Sequence, residues 1–108
     1  MATFYKVLGQ AIPSASTTTN IYTVPANSST VISTLAVCNT GSGATIRVAV
    51  RPAGTALNNN HYIIYENGIT GNESQFYTLG LTLAATDVLT VYSSSGNVVF
   101  NVYGSEMS

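Results

Sequence analysis

Charge is what this chain has least of. Three Lys or Arg and four Asp or Glu are its only formal charges in 108 residues, where an ordinary soluble domain is about a quarter charged. The net charge of −1 gives little colloidal repulsion between copies. The three cations, Lys6, Arg47 and Arg51, are scattered and form no basic stripe to neutralise phosphates, so nucleic-acid binding is not expected. The single Cys38 excludes an internal disulfide framework and a multi-cysteine zinc site. It falls in an apolar-alternating run, where a small buried thiol is expected rather than a nucleophile. Trp is absent and His occurs once, with no Gly-rich phosphate loop and no Asp-rich calcium loop, so no cofactor and no metal are expected.

Enzyme chemistry has as little foothold. A Ser/His/Asp machine would have to use His61, and no Gly-x-Ser-x-Gly elbow is present. Glu66, Glu73, Asp87 and Glu106 are dispersed along the chain. Two of them could meet in space, as glycoside hydrolysis requires, but Glu66 before Asn67-Gly68 and Asp87 after Ala84-Ala85-Thr86 read as turn residues. No catalytic residue is assigned and an enzyme is not expected. The first ten residues hold no apolar run of signal-sequence or membrane-helix length, so synthesis in the cytoplasm without a membrane association is the expectation. The Asn-x-Ser sequons at Asn27 and Asn72 then carry little weight.

What the chain has in abundance is neutral polarity and strand pattern. Ser, Thr and Asn together supply 37 residues. In Thr45 to Arg51, Ile46, Val48 and Val50 alternate with Thr45, Arg47, Ala49 and Arg51, the period-2 signature of a half-buried strand. Similar runs cover Phe4 to Gln10, Asn20 to Val24, Val31 to Asn39, His61 to Tyr65, Gln75 to Leu83, Asp87 to Ser93 and Asn97 to Gly104, about eight strands. Between them stand chain reversals rich in Gly, Asn and Pro: Pro25 to Ser28, Asn39 to Gly43, Asn58 to Asn60, Asn67-Gly68 with Gly71-Asn72, and Ser94 to Asn97. With no helix to make parallel crossovers, these imply one all-β domain over 1–108, an antiparallel β-sandwich of jelly-roll or Greek-key type. Residues 11–20, low in apolar content from Pro13 to Thr19, read as an extended arm.

Tyrosine is the one enriched aromatic, at seven residues. A rigid apolar plate with a polar tip suits subunit contacts as well as core edges, so Tyr62, Tyr65 and Tyr103 are interface candidates, together with Arg47, Arg51 and Glu106. Arg47 and Arg51, four apart in one strand, project from the same face about 13 Å apart. In a chain so poor in charge they are expected to meet carboxylates, either Asp87 or Glu106 within the chain or acids on a partner.

Several stretches resemble small virion proteins of tailed bacteriophages, most closely those of phages infecting cyanobacteria. They are Tyr22-Thr23-Val24-Pro25-Ala26, Val31 to Leu35 leading to Val37-Cys38-Asn39, Arg47 to Gly54, His61-Tyr62-Ile63, Leu79 to Leu83, Asp87 to Val91 and Val102 to Glu106. The resemblance spans Tyr5 to Glu106 and rests on strand and turn patterns. It implies a β-sandwich that decorates a head or joins a tail without enzymatic activity, and gives Glu106 a fixed structural partner, with Arg47 or Arg51 a candidate. The expected role is a capsid decoration (cement) protein, located in the virion, bound to the major capsid protein and forming a homo-oligomer, a trimer or dimer. A neck, tail or fibre component is the alternative, followed by a carbohydrate-binding receptor module and a small glycosidase.

Overall fold

The structure, a computed structural model, describes residues 3–108. Eight strands account for most of the chain: β1 (Thr3–Ala11), β2 (Thr19–Thr23), β3 (Ser29–Asn39), β4 (Ala44–Arg51), β5 (Tyr62–Ile69), β6 (Ser74–Leu83), β7 (Val88–Ser93) and β8 (Val98–Met107). They build two four-stranded antiparallel sheets with the orders β1-β8-β3-β6 and β2-β7-β4-β5. The chain thus passes from one sheet to the other at every connection except that from β4 to β5, which is the jelly-roll arrangement of two Greek keys. Among the described residues, two short 3-10 turns, Pro52–Gly54 and Asn59–His61, interrupt the strands. Among the described residues no helix is long and apolar enough to cross a membrane.

The two sheets meet over the residues whose alternation marked the strands. Ile32, Leu35 and Val37 from β3, Ile46 and Val48 from β4, Leu89 and Val91 from β7, and Val98, Phe100 and Val102 from β8 are essentially without solvent contact and form one cluster. Burying such side chains is worth roughly 1.5–3 kcal/mol each, an upper figure because unfolded chains already bury some surface. Close backbone approach is allowed by glycine at two places. A Cβ on Gly9 would lie 2.3 Å from the Ile21 carbonyl oxygen, where β1 crosses β2, and one on Gly104 would lie 2.1 Å from the Val31 carbonyl oxygen.

Several local expectations change. Asn67-Gly68 lies inside β5, and the reversal falls at Gly71-Asn72, where Asn72 adopts φ 60°. The reason is a bulge at Glu66 (φ 51°), which lets β5 run on past the first Asn-Gly pair. Cys38 faces outward from β3 and is half-buried, because Leu35, Val37 and Asn39 take the inward positions. Residues 12–18 form the connection between β1 and β2, where Pro13 is buried and the Ser16 amide donates to the Ser93 carbonyl at 2.9 Å.

Candidate functional site

Two polar clamps tie the sheets together at their open edges, and the first of them absorbs the charges of Lys6 and Glu106. At one edge, the Tyr22 hydroxyl on β2 donates to Glu106 Oε2 on β8 and is also bonded to Thr30 Oγ1 on β3 at 2.8 Å, while Lys6 Nζ on β1 lies 3.3 Å from Glu106 Oε1. Burial, then the hydrogen bond to Glu106, pushes the Tyr22 phenol up to about 12. The same bond, with Lys6 behind it, holds the Glu106 carboxyl below the usual carboxylate range. Glu106 therefore does have a fixed partner, but it is Tyr22 and Lys6, neither of the arginines. At the other edge, Asn67 Nδ2 on β5 donates to the Tyr77 hydroxyl on β6 at 2.6 Å, and Tyr77 donates to Gln75.

The arginines sit together on the outward face of the β2-β7-β4-β5 sheet, as their spacing predicts, with partners the sequence did not. Opposite Arg47, the bulge places two residues of β5 where a regular ladder would have one, since Ile46 pairs with Asn67 and Val48 with Ile64. Arg47 consequently receives both: its Nε and Nη2 donate to the two Glu66 carboxylate oxygens, each at 3.0 Å, and its guanidinium lies 4.7 Å from the Tyr65 ring centroid. Tyr92 on β7, the cross-strand neighbour, supplies a second ring at 4.3 Å. The fork lowers the Glu66 pKa and raises that of Arg47, each chiefly through these hydrogen bonds. Tyr62 packs edge-on against Tyr65 with centroids 4.8 Å apart.

Arg51 has no carboxylate. It donates to Thr90 Oγ1, Asn20 Oδ1 and the carbonyls of Gly54 and Thr55, fastening the Pro52–Gly54 turn to the sheet. Asp87, the other expected partner, accepts from the Ala53 and Ala84 amides at 2.9 Å each and so is a turn residue, as its context suggested. Neither Asp87 nor Glu106 meets an arginine, because β7 and β8 bring those two acids to the loops and to the sandwich edge rather than to the face of β4.

No known family model and no curated protein matches the chain. The six candidate contact residues thus divide by position. Arg47, Arg51, Tyr62 and Tyr65 share one outward face, Tyr103 is on the opposite sheet, and Glu106 belongs to the edge clamp.

Tyr103 opens onto a surface that sequence reasoning missed. The outward rows of the β1-β8-β3-β6 sheet, read across the ladders, are Tyr5, Ser105, Val31 and Thr82; then Val7, Tyr103, Thr34 and Thr78; then Gln10, Asn101, Ala36 and Phe76. None of the seven charged residues stands in these rows; Lys6, whose ammonium pairs with Glu106, borders the shallow depression lined by Tyr5, Val7 and Tyr103. Tyr5 is 84% exposed and Phe76 71%, with Val7 and Tyr103 also open. The alternation of Tyr5 and Val7 was legible as a strand, but which side of β1 faced the core depended on β8. No group of three His, Cys, Asp or Glu side chains comes together among the described residues.

Proposed function

We propose that the protein is a virion structural component, a capsid decoration protein that binds across major capsid subunits through the outward face of β4 and β5. The observation that carries this reading is the Arg47–Glu66–Tyr65–Tyr92 assembly with Tyr62 beside it. Arg and Tyr are prominent among the residues that dominate binding energy at protein interfaces, and here they are already held in place by a bidentate ion pair, guanidinium–ring contacts and an edge-on ring pair, so docking orders few side chains. Tyr65 remains 57% exposed, which leaves its outer ring face free for a partner. The low charge, the jelly-roll topology and the resemblance to tailed-phage virion proteins support the same reading. Binding of this kind stabilises the assembled shell by linkage, because the ligand recognises only the lattice and not the separated subunits.

The test is re-addition of purified protein to heads that lack it, followed by thermal disruption of the particles. Wild-type protein raises the disruption temperature, and Arg47→Met or Tyr65→Ala weakens head binding at least about tenfold, since hot-spot residues cost about 2 kcal/mol or more. Heads equally stable with and without the protein would reject the cement role. Retention of the protein on isolated tails or necks instead would support a tail, neck or fibre component.

A further inference from the structure

Among the described residues nothing covers the outward face of the β1-β8-β3-β6 sheet, and we infer that a second copy of the chain covers it, packed face to face across a twofold axis. The inference stands apart from the lattice reading, which uses the opposite sheet.

Self-complementarity makes the first argument. In an isologous contact each residue meets its own kind or a near neighbour, so any charge near the axis faces a like charge. None of the seven charges occupies the three outward rows; they are spent on the edge clamps, on the opposite face and in turns. What the face does hold can pair with itself: hydroxyls and amides that donate and accept, and open apolar groups at Tyr5, Val7, Phe76 and Tyr103. Four of the exposed large apolar residues therefore cluster on one side of the molecule. The outward tyrosines of the other sheet, Tyr62, Tyr65 and Tyr92, are already in contact with Arg47 or with each other.

Area makes the second argument. The molecule measures 44 × 27 × 19 Å, with four strands across each sheet. Four strands about 4.8 Å apart and about ten residues long at about 3.3 Å each cover roughly 600 Å² before side-chain relief is added. A stable interface takes about 800 Å² from each partner, so the projecting rings of Tyr5 and Phe76 bring this face to the size required. Sheets stack readily about 10 Å apart with strands aligned to within about 30°. A single face of this kind closes with one partner, which selects a dimer, whereas a trimer needs two different patches.

Sedimentation of the wild-type protein and two variants tests this. Ala36, half-buried on the central strand β3 with Asn101 and Phe76 beside it, is replaced by Lys. Phe76, which projects into solvent, is replaced by Ser. Wild type is expected to be a dimer at about 100 µM, with dissociation at least about a hundredfold easier in Ala36→Lys and about tenfold easier in Phe76→Ser. Circular dichroism and melting at high dilution should remain those of the wild-type monomer for Phe76→Ser, which keeps the test valid if Ala36→Lys folds poorly. Cys38, outward on the same sheet beside Val99 and Ser74, provides an internal probe: its alkylation should slow as wild-type concentration rises and stay constant for Phe76→Ser over the range where that variant is monomeric. A wild-type monomer at about 100 µM overturns the inference. So does a dimer indifferent to both substitutions, the outcome if copies join edge to edge through β1.

Discussion

Single residues carry strain and proton linkage that can be measured. Thr86 holds φ at 69° in the turn between β6 and β7, a conformation that a β-branched residue reaches only at a cost of about 1–3 kcal/mol. The turn persists because the Thr86 amide donates to the Val24 carbonyl at 3.0 Å and the Asp87 amide to Ala84 at 3.1 Å. Thr86→Asn keeps those bonds and relieves the backbone, so melting temperature should rise by roughly 4 °C or more; an unchanged or lower value would show that the turn is not strained. The Tyr22–Glu106 bond predicts a two-sided pH profile. Glu106 titrates lower folded than unfolded, so its contribution is present above about pH 4.3 and is lost as pH falls through the folded value. Tyr22 is the reverse, raised from 10.0 to about 12; its contribution is present below about pH 10 and is lost as pH rises toward 12. Glu106→Gln should flatten the acid limb of a melting-temperature profile while leaving most of the alkaline limb, because burial is the larger cause of the Tyr22 shift. Tyr22→Phe should flatten the alkaline limb.

At the scale of elements, the central strands and the bulges set what the edges can do. β3 and β8 pair along their length from Ser29 with Met107 to Asn39 with Val98, and Gly104 is where their backbones come closest to clashing with any side chain. Gly104→Ala would drive a Cβ into the Val31 carbonyl, and the expected loss is more than about 2 kcal/mol, in the range reserved for core disruption. A denaturant melt close to wild type would mean that the pair can slip apart locally. The bulge in β5 acts in the opposite sense, creating a site instead of protecting a core. By doubling the residues opposite Arg47 it sets a ring and a carboxylate around one guanidinium. Hydrogen exchange should separate the two kinds of strand: slowest amides in β3, β8, β4 and β7, which have neighbours on both sides, and faster ones in the edge strands β1, β2, β5 and β6. Protection in β1 equal to that in β3 would indicate that its free edge is covered.

For the whole molecule, the jelly-roll order makes folding a long-range problem, since β1 must wait for β8 and β2 for β7. Folding on the millisecond-to-second scale is the expected outcome in stopped-flow refolding, the range of sandwiches dominated by distant pairings; microsecond relaxation would contradict it. The two broad faces differ in kind. One carries a fixed arrangement of Arg, Glu and Tyr, the other a neutral surface of hydroxyls, amides and open rings, so the proposed shell contact and the proposed self-contact use different surfaces.

The eight strands were legible from local signals alone, because alternation along a strand and Gly, Asn or Pro at a reversal depend on neighbours in sequence. Thr45 to Arg51 shows this in part: the inward turn of Ile46 and Val48 and the shared direction of Arg47 and Arg51 follow from period 2, whereas Ala49, on the outward row, is only 1% exposed and Val50, on the inward row, is half-buried. Asp87 as a turn residue was legible for the same reason. The partners of those arginines, the bond from Tyr22 to Glu106, the outward turn of Cys38 and the neutral rows around Tyr103 were decided only by the tertiary structure. Each depends on the register between strands far apart in the chain and on bulges at Glu66 and Ser33 that shift it. One extra residue in a ladder changes which side chains meet, and no local pattern in β4 records what β5 does beside it.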